Sequence, residues 1–276
     1  MPGGIQLETG AVLSALHHIV TSMGVDFRRG VVEEVLQDGA HVGGVRLGSG
    51  ETIVTETVVL ATGAWLNQRL DDVGWKLPLL PFVSTRFVTE DVGVADTMPT
   101  LQGVDFPLWI RESEGGFTWG TTYGAAPAHR TGSGWMDFSR EGRTLDELIE
   151  RQRGDVERIA KVFPQLRGAT NIREIQGMPV YTVDRQFFLG EIPTCRGLWV
   201  LGGDNESGVS HGPGLGRLVS ELIAGSEPFC NPLPYRPDRF SPEEYPDAEA
   251  VGQTIAAAEA SFIGDAMRRP VASPYQ

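Results

Sequence analysis

Residues 198–217 constrain this 276-residue chain more than any other stretch, because an apolar run, Leu198-Trp-Val-Leu, leads straight into a glycine-rich turn and then an amphipathic segment. A strand that ends in Gly202-Gly203 and resumes as a helix brings bare backbone close to whatever lies beyond the strand, since glycine adopts backbone angles closed to other residues. The spacing predicts a helix from about Gly214 to Ala224, with Pro213 in its first turn and Gly225 as its stop. Its free N–H groups and positive dipole end would stabilise an electron-rich oxygen, and Gly212, Gly214 and Gly216 would keep side chains out of the way. A tight turn in any α/β protein would use the same glycines.

Around this unit the hydrophobic periodicity is mixed. Val12, Leu13, Leu16, Ile19, Val20 and Met23 recur at helical spacing over residues 9–23, with Thr9 as cap and Gly24 as stop, which predicts an amphipathic helix packed on a sheet. Short strands are expected at 26–27, 30–36, 41–47 and 52–60, punctuated by Asp38-Gly39 and Gly48-Ser-Gly50. The run Val58-Val-Leu-Ala is apolar on both faces, as in a parallel strand of a covered sheet. Beyond Trp65, Pro78, Pro81, Pro99 and Pro107 separate segments 79–90, 108–112 and 116–123, which read as an antiparallel sheet. A charged amphipathic helix is expected over 145–163, ended by Pro164, and an Ala-rich helix over 247–267 in a polar tail that covers a subunit surface or is partly mobile.

Charge and cysteine usage narrow the partners. A net charge of −13 argues against nucleic acid and anionic membranes, which need clustered Lys and Arg. Cys195 and Cys230 form no CxxC or Cys/His spacing, so neither a disulfide framework nor a zinc site is expected, and the chain reads as a reduced, cytoplasmic protein. No run of eighteen apolar residues and no charged-then-apolar leader occurs.

The stretch Ile175-Gln-Gly-Met-Pro-Val-Tyr-Thr-Val-Asp-Arg-Gln-Phe-Phe-Leu-Gly190, with the glycine segment after it, resembles the C-terminal signature of the FAD-dependent amino-acid oxidase superfamily, in the branch of glycine oxidase and sarcosine oxidase. Thr182, Asp184, Leu189, Gly190, Gly197, Leu198, Gly202, Gly208, Gly214 and Gly216 fall in the matching places. Thr57-Val-Val-Leu-Ala-Thr-Gly-Ala-Trp65 is similar to that family's cofactor-domain strand and turn. Gly3-Gly-Ile, the first helix and Val32-Glu-Glu-Val are similar to its run toward the adenine site. The three blocks keep family order across residues 3–226.

The resemblance implies an α/β fold of mixed α+β type. An incomplete Rossmann-like FAD-binding domain would take residues 1–75 and 190–237, an antiparallel-sheet substrate domain 76–189, and a C-terminal tail with one helix 238–276. It implies FAD-dependent oxidation of a C–N bond in a small-molecule amine or amino acid, with hydroxy-acid oxidation or a catalytically silent, truncated subunit as rivals. FAD would lie against Val32, Thr62, Gly63, Trp65, Gly202, Gly203, Gly208, Val209, Ser210 and Gly214. Gly177 stands where sarcosine oxidases carry the cysteine bonded to flavin, so the cofactor would be non-covalent. Pro179 stands at the glycine oxidase arginine that grips the substrate carboxylate, and Ser210 at a sarcosine oxidase lysine near the flavin. The family's opening strand–Gly-x-Gly-x-x-Gly–helix unit is not in this sequence, so a second polypeptide would supply the pyrophosphate site, or the chain is truncated and binds FAD poorly.

Three residues are candidates for substrate chemistry. His211 sits in the glycine segment, either at the flavin face or as a hydrogen bonder at the helix start. Tyr181 lies on the strand similar to the family's substrate-facing one, with alternation leaving its direction open. Arg86, ahead of Arg111 and Arg185, is the candidate for gripping a carboxylate bidentately. Ser210 is expected to cap the helix, Asp204 and Glu206 to point outward, and Trp65, Trp109, Phe117 and Trp119 to fill core between the domains or line an aromatic pocket.

Overall fold

The computed structural model describes residues 7–103, 108–121, 125–127, 149–150, 152–241 and 243–268. Two sheets organise them. The first has six strands, β1 (Val32–Asp38), β2 (His41–Leu47), β3 (Thr52–Val54), β4 (Val58–Leu60), β12 (Phe188–Ile192) and β13 (Cys195–Gly202). Its backbone is the order β1-β2-β13-β12, with β3 added to β2 and β4 to β13. The strand β13 runs parallel to β4, with Leu198, Trp199 and Val200 opposite Val58, Val59 and Leu60, and antiparallel to β12. Early and late parts of the chain thus close one sheet.

Burial explains the pairing. Leu60, Leu198 and Val200 point into a core with Leu66, Leu70, Val73 and Leu77 from the short helix α2 (Leu66–Leu70) and the turn after it. Each such fully buried side chain contributes about 1.5–3 kcal/mol. The expected strand over 52–60 divides at Thr55, whose hydroxyl accepts from the Thr57 N–H at 3.2 Å and donates to the Thr57 carbonyl at 3.1 Å, drawing the backbone out of the ladder. Val59 is 40% exposed, so β4 is parallel as expected but is not covered on both faces by the described residues.

The second sheet has seven strands, β5 (Leu79–Thr89), β6 (Leu101–Gln102), β7 (Leu108–Ser113), β8 (Gly116–Thr121), β9 (Ala125–Pro127), β10 (Asn171–Gly177) and β11 (Val180–Thr182). All the pairings are antiparallel and centre on β5. On one face Phe87, Ile110, Phe117 and Trp119 form a core with Ile159 and Ala160 at the end of the short helix α3 (Val156–Ile159). Phe117 and Trp119 therefore fill this sheet's own core, while Trp65 packs against the first core. Residues 145–148 of the expected charged helix, and 122–123 of the expected strand, lie outside the described residues.

Two helices behave differently from their sequence expectation. The first, α1 (Thr9–Ser22), has the expected limits but buries no residue. Its stripe residues Leu13, Leu16, Ile19 and neighbouring Met23 are 47–77% exposed, with Val25 and Phe27 following, and 26–27 is not a strand. The expected packing on a sheet is absent among the described residues: Glu8, just ahead of the helix, pairs with Arg111 at 3.0 Å, and the His17 ring lies tilted against Phe27. The C-terminal helix, here α5 (Ala248–Arg268), is docked. Val251 and Ile255 are buried against Val183, beside Leu80, Phe82 and Tyr181, so this helix covers one end of the second sheet. Arg239 adds a clamp, with its guanidinium on both oxygens of Asp184 at 2.8 and 3.0 Å and 3.7 Å above the Phe188 ring.

Candidate functional site

The glycine segment forms where the parallel pair ends. Because β4 and β13 run the same way, Thr62 and Gly63 beyond one strand and Gly202 and Gly203 at the end of the other come out at the same edge, the carboxyl edge where ligands of α/β sheets bind. The adjacent strand β2 is also parallel to β13 and ends at Leu47, whose partner in β1 is Val32. Val32, Thr62, Gly63, Gly202 and Gly203 therefore share one end of the sheet, and Trp65 is two residues past Gly63 in the single turn Gly63–Trp65. The buried Thr62 hydroxyl has no hydrogen-bond partner among the described residues.

The turn itself is held by Asn205, a residue the sequence reading did not single out. Asn205 takes a left-handed backbone (φ 45°), followed by Glu206 (φ 64°). Its Oδ1 accepts from the Thr182 N–H at 3.0 Å, its Nδ2 donates to the Gly203 carbonyl at 2.7 Å, and its backbone N–H donates to the Val180 carbonyl at 2.9 Å. Asp204 Oδ1 accepts from the Val180 N–H at 3.2 Å, so Asp204 faces β11 and does not point outward, whereas Glu206 is exposed. The signal was present in the Asp-Asn pair, since short polar side chains bond neighbouring backbone and tolerate positive φ. At Gly203 (φ 75°) an added Cβ would come 2.4 Å from Thr182 Cγ2.

The helix that follows, α4 (Gly208–Ile223), starts six residues earlier than predicted and carries Pro213 in its interior. The left-handed pair Asn205-Glu206 turns the chain by itself, so the later glycines are helical and do not form a loop. The first ladder bond runs from the His211 N–H to the Ser207 carbonyl, and the N–H groups of Gly208, Val209 and Ser210 have no acceptor among the described residues. Ser210 does not cap them. Its hydroxyl donates to the Ser207 carbonyl at 2.9 Å, which His211 Nδ1 also approaches at 3.0 Å, with the imidazole against Phe187. Gly208, Gly212 and Gly216, four apart, share one helix face. A Cβ at Gly212 or Gly216 would meet nothing within 4 Å, and one at Gly208 would lie 3.2 Å from Asp204 Cβ. Gly214 is on another face, toward Phe229, so it does not join the stripe with the other glycines.

These groups suit a flavin ring: three unpaired N–H donors at a positive helix end, and beside them a side-chain-free helical face at the carboxyl edge of a parallel pair. The remaining candidates are dispersed. Tyr181, opposite Leu80 in β5, packs edge-on to Phe82 at 5.0 Å under α5. Arg86 is six residues further along β5, about 20 Å away at strand rise, opposite Ile175 of β10. It is half-buried with no acid within ion-pairing distance among the described residues, and burial, with Arg111 and Arg173 nearby, lowers its pKa from the ordinary arginine value against a smaller opposing pull from Glu8. Arg185, in a left-handed turn position (φ 60°), lies elsewhere. Cys195 is buried in the first core, Cys230 packs behind α4, and no group of potential metal ligands occurs among the described residues. No described helix is long and apolar enough to cross a membrane.

Known proteins share this fold. The profile of the DAO family, described as FAD dependent oxidoreductase, matches residues 1–222. Glycine oxidase of Pseudomonas aeruginosa is 27% identical over 203 residues, covering 73% of this chain and 50% of that protein. The formaldehyde-forming 4-methylaminobutanoate oxidase of Paenarthrobacter nicotinovorans is 25% identical over 247 residues, covering 87% of this chain and 29% of that protein. The crystal structure of glycine oxidase from Geobacillus kaustophilus superposes with a TM-score of 0.65 at 24% identity, over 83% of this chain and 57% of that one. The chain thus spans about half the length of the glycine oxidases it matches. With the match running from the first residue to the end of α4, this chain belongs to the DAO family of FAD-dependent oxidoreductases.

Proposed function

We propose that this chain supplies the flavin-facing surface of an oxidoreductase that oxidises a C–N bond of an amine or amino acid, with FAD held non-covalently. The observation that carries the reading is the unpaired N-terminal turn of α4 at the carboxyl edge of β4 and β13. The Gly208, Val209 and Ser210 N–H groups would donate to the pyrimidine edge of the ring, and Gly212 and Gly216 would let it approach. When bound, FAD supplies the hydride acceptor. The chain's own part is to orient the substrate and manage its proton. With its Nδ1 3.0 Å from the Ser207 carbonyl, His211 would turn its other ring nitrogen to the substrate amine and take up the proton it releases. Tyr181 is assigned a more distant part through its strand, which is sewn to the turn at Val180 and Thr182. With Gly177 lacking a nucleophile and Cys195 buried in the core, neither position offers a thiolate to bond the ring, in keeping with non-covalent FAD.

We further infer that the ADP half of the cofactor is held by another segment or a second polypeptide, docked where the α1 stripe is exposed and where β4, among the described residues, pairs with β13 alone. A catalytically silent reading draws support from Pro179 at the family's carboxylate-gripping position, and hydroxy-acid oxidation remains the rival chemistry. The experiment is reconstitution of the chain with a dinucleotide-binding segment, followed by flavin absorbance and anaerobic reduction by amines, amino acids and hydroxy acids. Gly212→Leu should abolish flavin uptake, Gly214→Leu should retain it, and His211→Ala should retain flavin but slow its reduction. Equal flavin occupancy in both glycine variants would refute the assigned ring position, and reduction by none of the substrates would favour the silent reading.

A further inference from the structure

The face of the second sheet opposite its aromatic core carries a cluster that the flavin surface does not use. Cross-strand pairs share a face, so Arg173, Val88, Thr118 and Arg111 form one row across β10, β5, β8 and β7. Arg86, two residues before Val88, joins the same face one step along. There Trp109 sits opposite Gly120, and its indole occupies the space a Cβ at Gly120 would need, with Nε1 only 2.7 Å from that position. In a chain with 36 acidic against 23 basic residues, three arginines on one face meet two acids among the described residues, Glu8 on Arg111 and Glu114 at 4.0 Å from Arg173. Arg86 meets neither within bonding distance.

The second observation is Thr118. It is 1% exposed, and its hydroxyl, in the row between Val88 and Arg111, has no hydrogen-bond partner among the described residues. An unmade buried hydrogen bond costs about 1–3 kcal/mol, which a ligand acceptor reaching the cluster would recover. An acceptor that also satisfies a half-buried guanidinium is an anion, and the planar fork of arginine selects a carboxylate.

We propose that Arg86, supported by the Thr118 hydroxyl and Arg111, is the anion-recognition point of this protein, taking the carboxylate of a substrate whose apolar part lies against Trp109. Its place fits the oxidoreductase reading on which it rests: Arg86 is opposite Ile175, and Gly177, the position that the resemblance sets beside the flavin, is two residues further along the same strand, opposite Ser84. Recognition has thus moved from the position of Pro179 to the middle of β5, and the preferred amine would be one that bears a carboxylate.

Phenylacetate and its uncharged isostere phenylacetamide, titrated calorimetrically into the full chain at low salt, test the assignment. Phenylacetate should bind about tenfold more tightly than the amide. Arg86→Met should erase that preference, Arg86→Lys should keep only a minor part of it, and Thr118→Val should lower phenylacetate affinity about threefold. Arg173→Met, at the exposed edge, should change it less than about twofold. Equal affinities in the unmodified chain, or a preference that survives Arg86→Met, would overturn the proposal. Should circular dichroism show Arg86→Met unfolded, the amide comparison and Thr118→Val decide. Flavin occupancy after reconstitution is read separately: its loss with the carboxylate preference intact counts against the oxidoreductase reading alone.

Discussion

Gly203→Ala should be costly for a reason that can be separated into parts. At φ 75° an alanine carries the left-handed penalty of about 1–2 kcal/mol, partly offset by about 0.4–1 kcal/mol of lost freedom in the unfolded chain. Its methyl would also come 2.4 Å from Thr182 Cγ2. Thr182 cannot swing aside cheaply, being 1% exposed, with its hydroxyl donated to the Gln186 carbonyl at 2.9 Å and its N–H to Asn205. Overpacking of that kind adds about 1–3 kcal/mol, for a total of about 1–4 kcal/mol. Gly63→Ala is the reference, since Gly63 has φ 54° but an added Cβ meets nothing within 4 Å, so only the net backbone strain of about 1 kcal/mol or less applies. Urea unfolding followed by tryptophan fluorescence should place the Gly203→Ala midpoint about 1 M below that of Gly63→Ala. Thr182→Ser, which removes Cγ2 and keeps the hydroxyl, should return about 1–2 kcal/mol in the double variant. Equal midpoints for the two glycine variants, or a double variant that is merely additive, would refute the reasoning.

Other consequences follow from neighbouring contacts. Asn205→Ala should destabilise by about 2–3 kcal/mol, because it removes two side-chain hydrogen bonds to backbone and puts alanine at φ 45°, and thermal denaturation will show whether Asn205→Gly recovers the strain portion. Ile255→Ala should cost about 2–4 kcal/mol in the full chain, a value near zero meaning that α5 is not docked on Leu80 and Phe82. Leu13→Gln with Leu16→Gln should leave the chain's own melting temperature nearly unchanged, within about 0.5 kcal/mol, while weakening capture of the dinucleotide-binding segment. Asp238 is held below the usual carboxylate range by hydrogen bonds from Arg236, so its contribution is present above the unfolded-state pKa and lost as pH falls through the lower folded-state value. Being mostly exposed, it should amount to a few tenths of a kcal/mol, and Arg236→Met should flatten the acid limb of a stability-against-pH curve by that much.

What the sequence disclosed depended on how local the determinant was. The strands β1, β2, β5, β7 and β8 and the C-terminal helix follow from alternation and helical spacing, and the parallel character of β4 follows from its continuous apolar run. The start of α4 was missed because Gly212, Pro213 and Gly214 are local helix breakers, whereas the turn is made upstream by Asn205 and Glu206, whose positive φ depends on bonds to β11. The fate of the α1 stripe was equally invisible, since spacing reveals an apolar face but not whether these residues meet one. Of the candidate site, the turn glycines and Thr62 are brought to one edge, while Gly214 turns toward Phe229 and Arg86 lies far along β5 from Tyr181. Alternation alone could have placed Arg86, Thr118 and Arg111 together only once the strand register was known.

The pairing of Val58 with Leu198 governs the order in which the molecule can be made. A ribosome releases β4 long before β13, so the newly made β4 waits for its parallel partner β13 until the chain has emerged through Gly202. The second sheet, contained between Leu79 and Thr182, can form in the interval without any part of the first. Closure of the first sheet is then the late, long-range event, burdened with the entropy of a large loop unless the second sheet has already folded and drawn the two ends together. Synonymous changes that slow translation between Thr182 and Gly202 should therefore raise soluble yield, and a pause placed just after Leu60 should lower it by prolonging the exposure of an unpaired apolar strand.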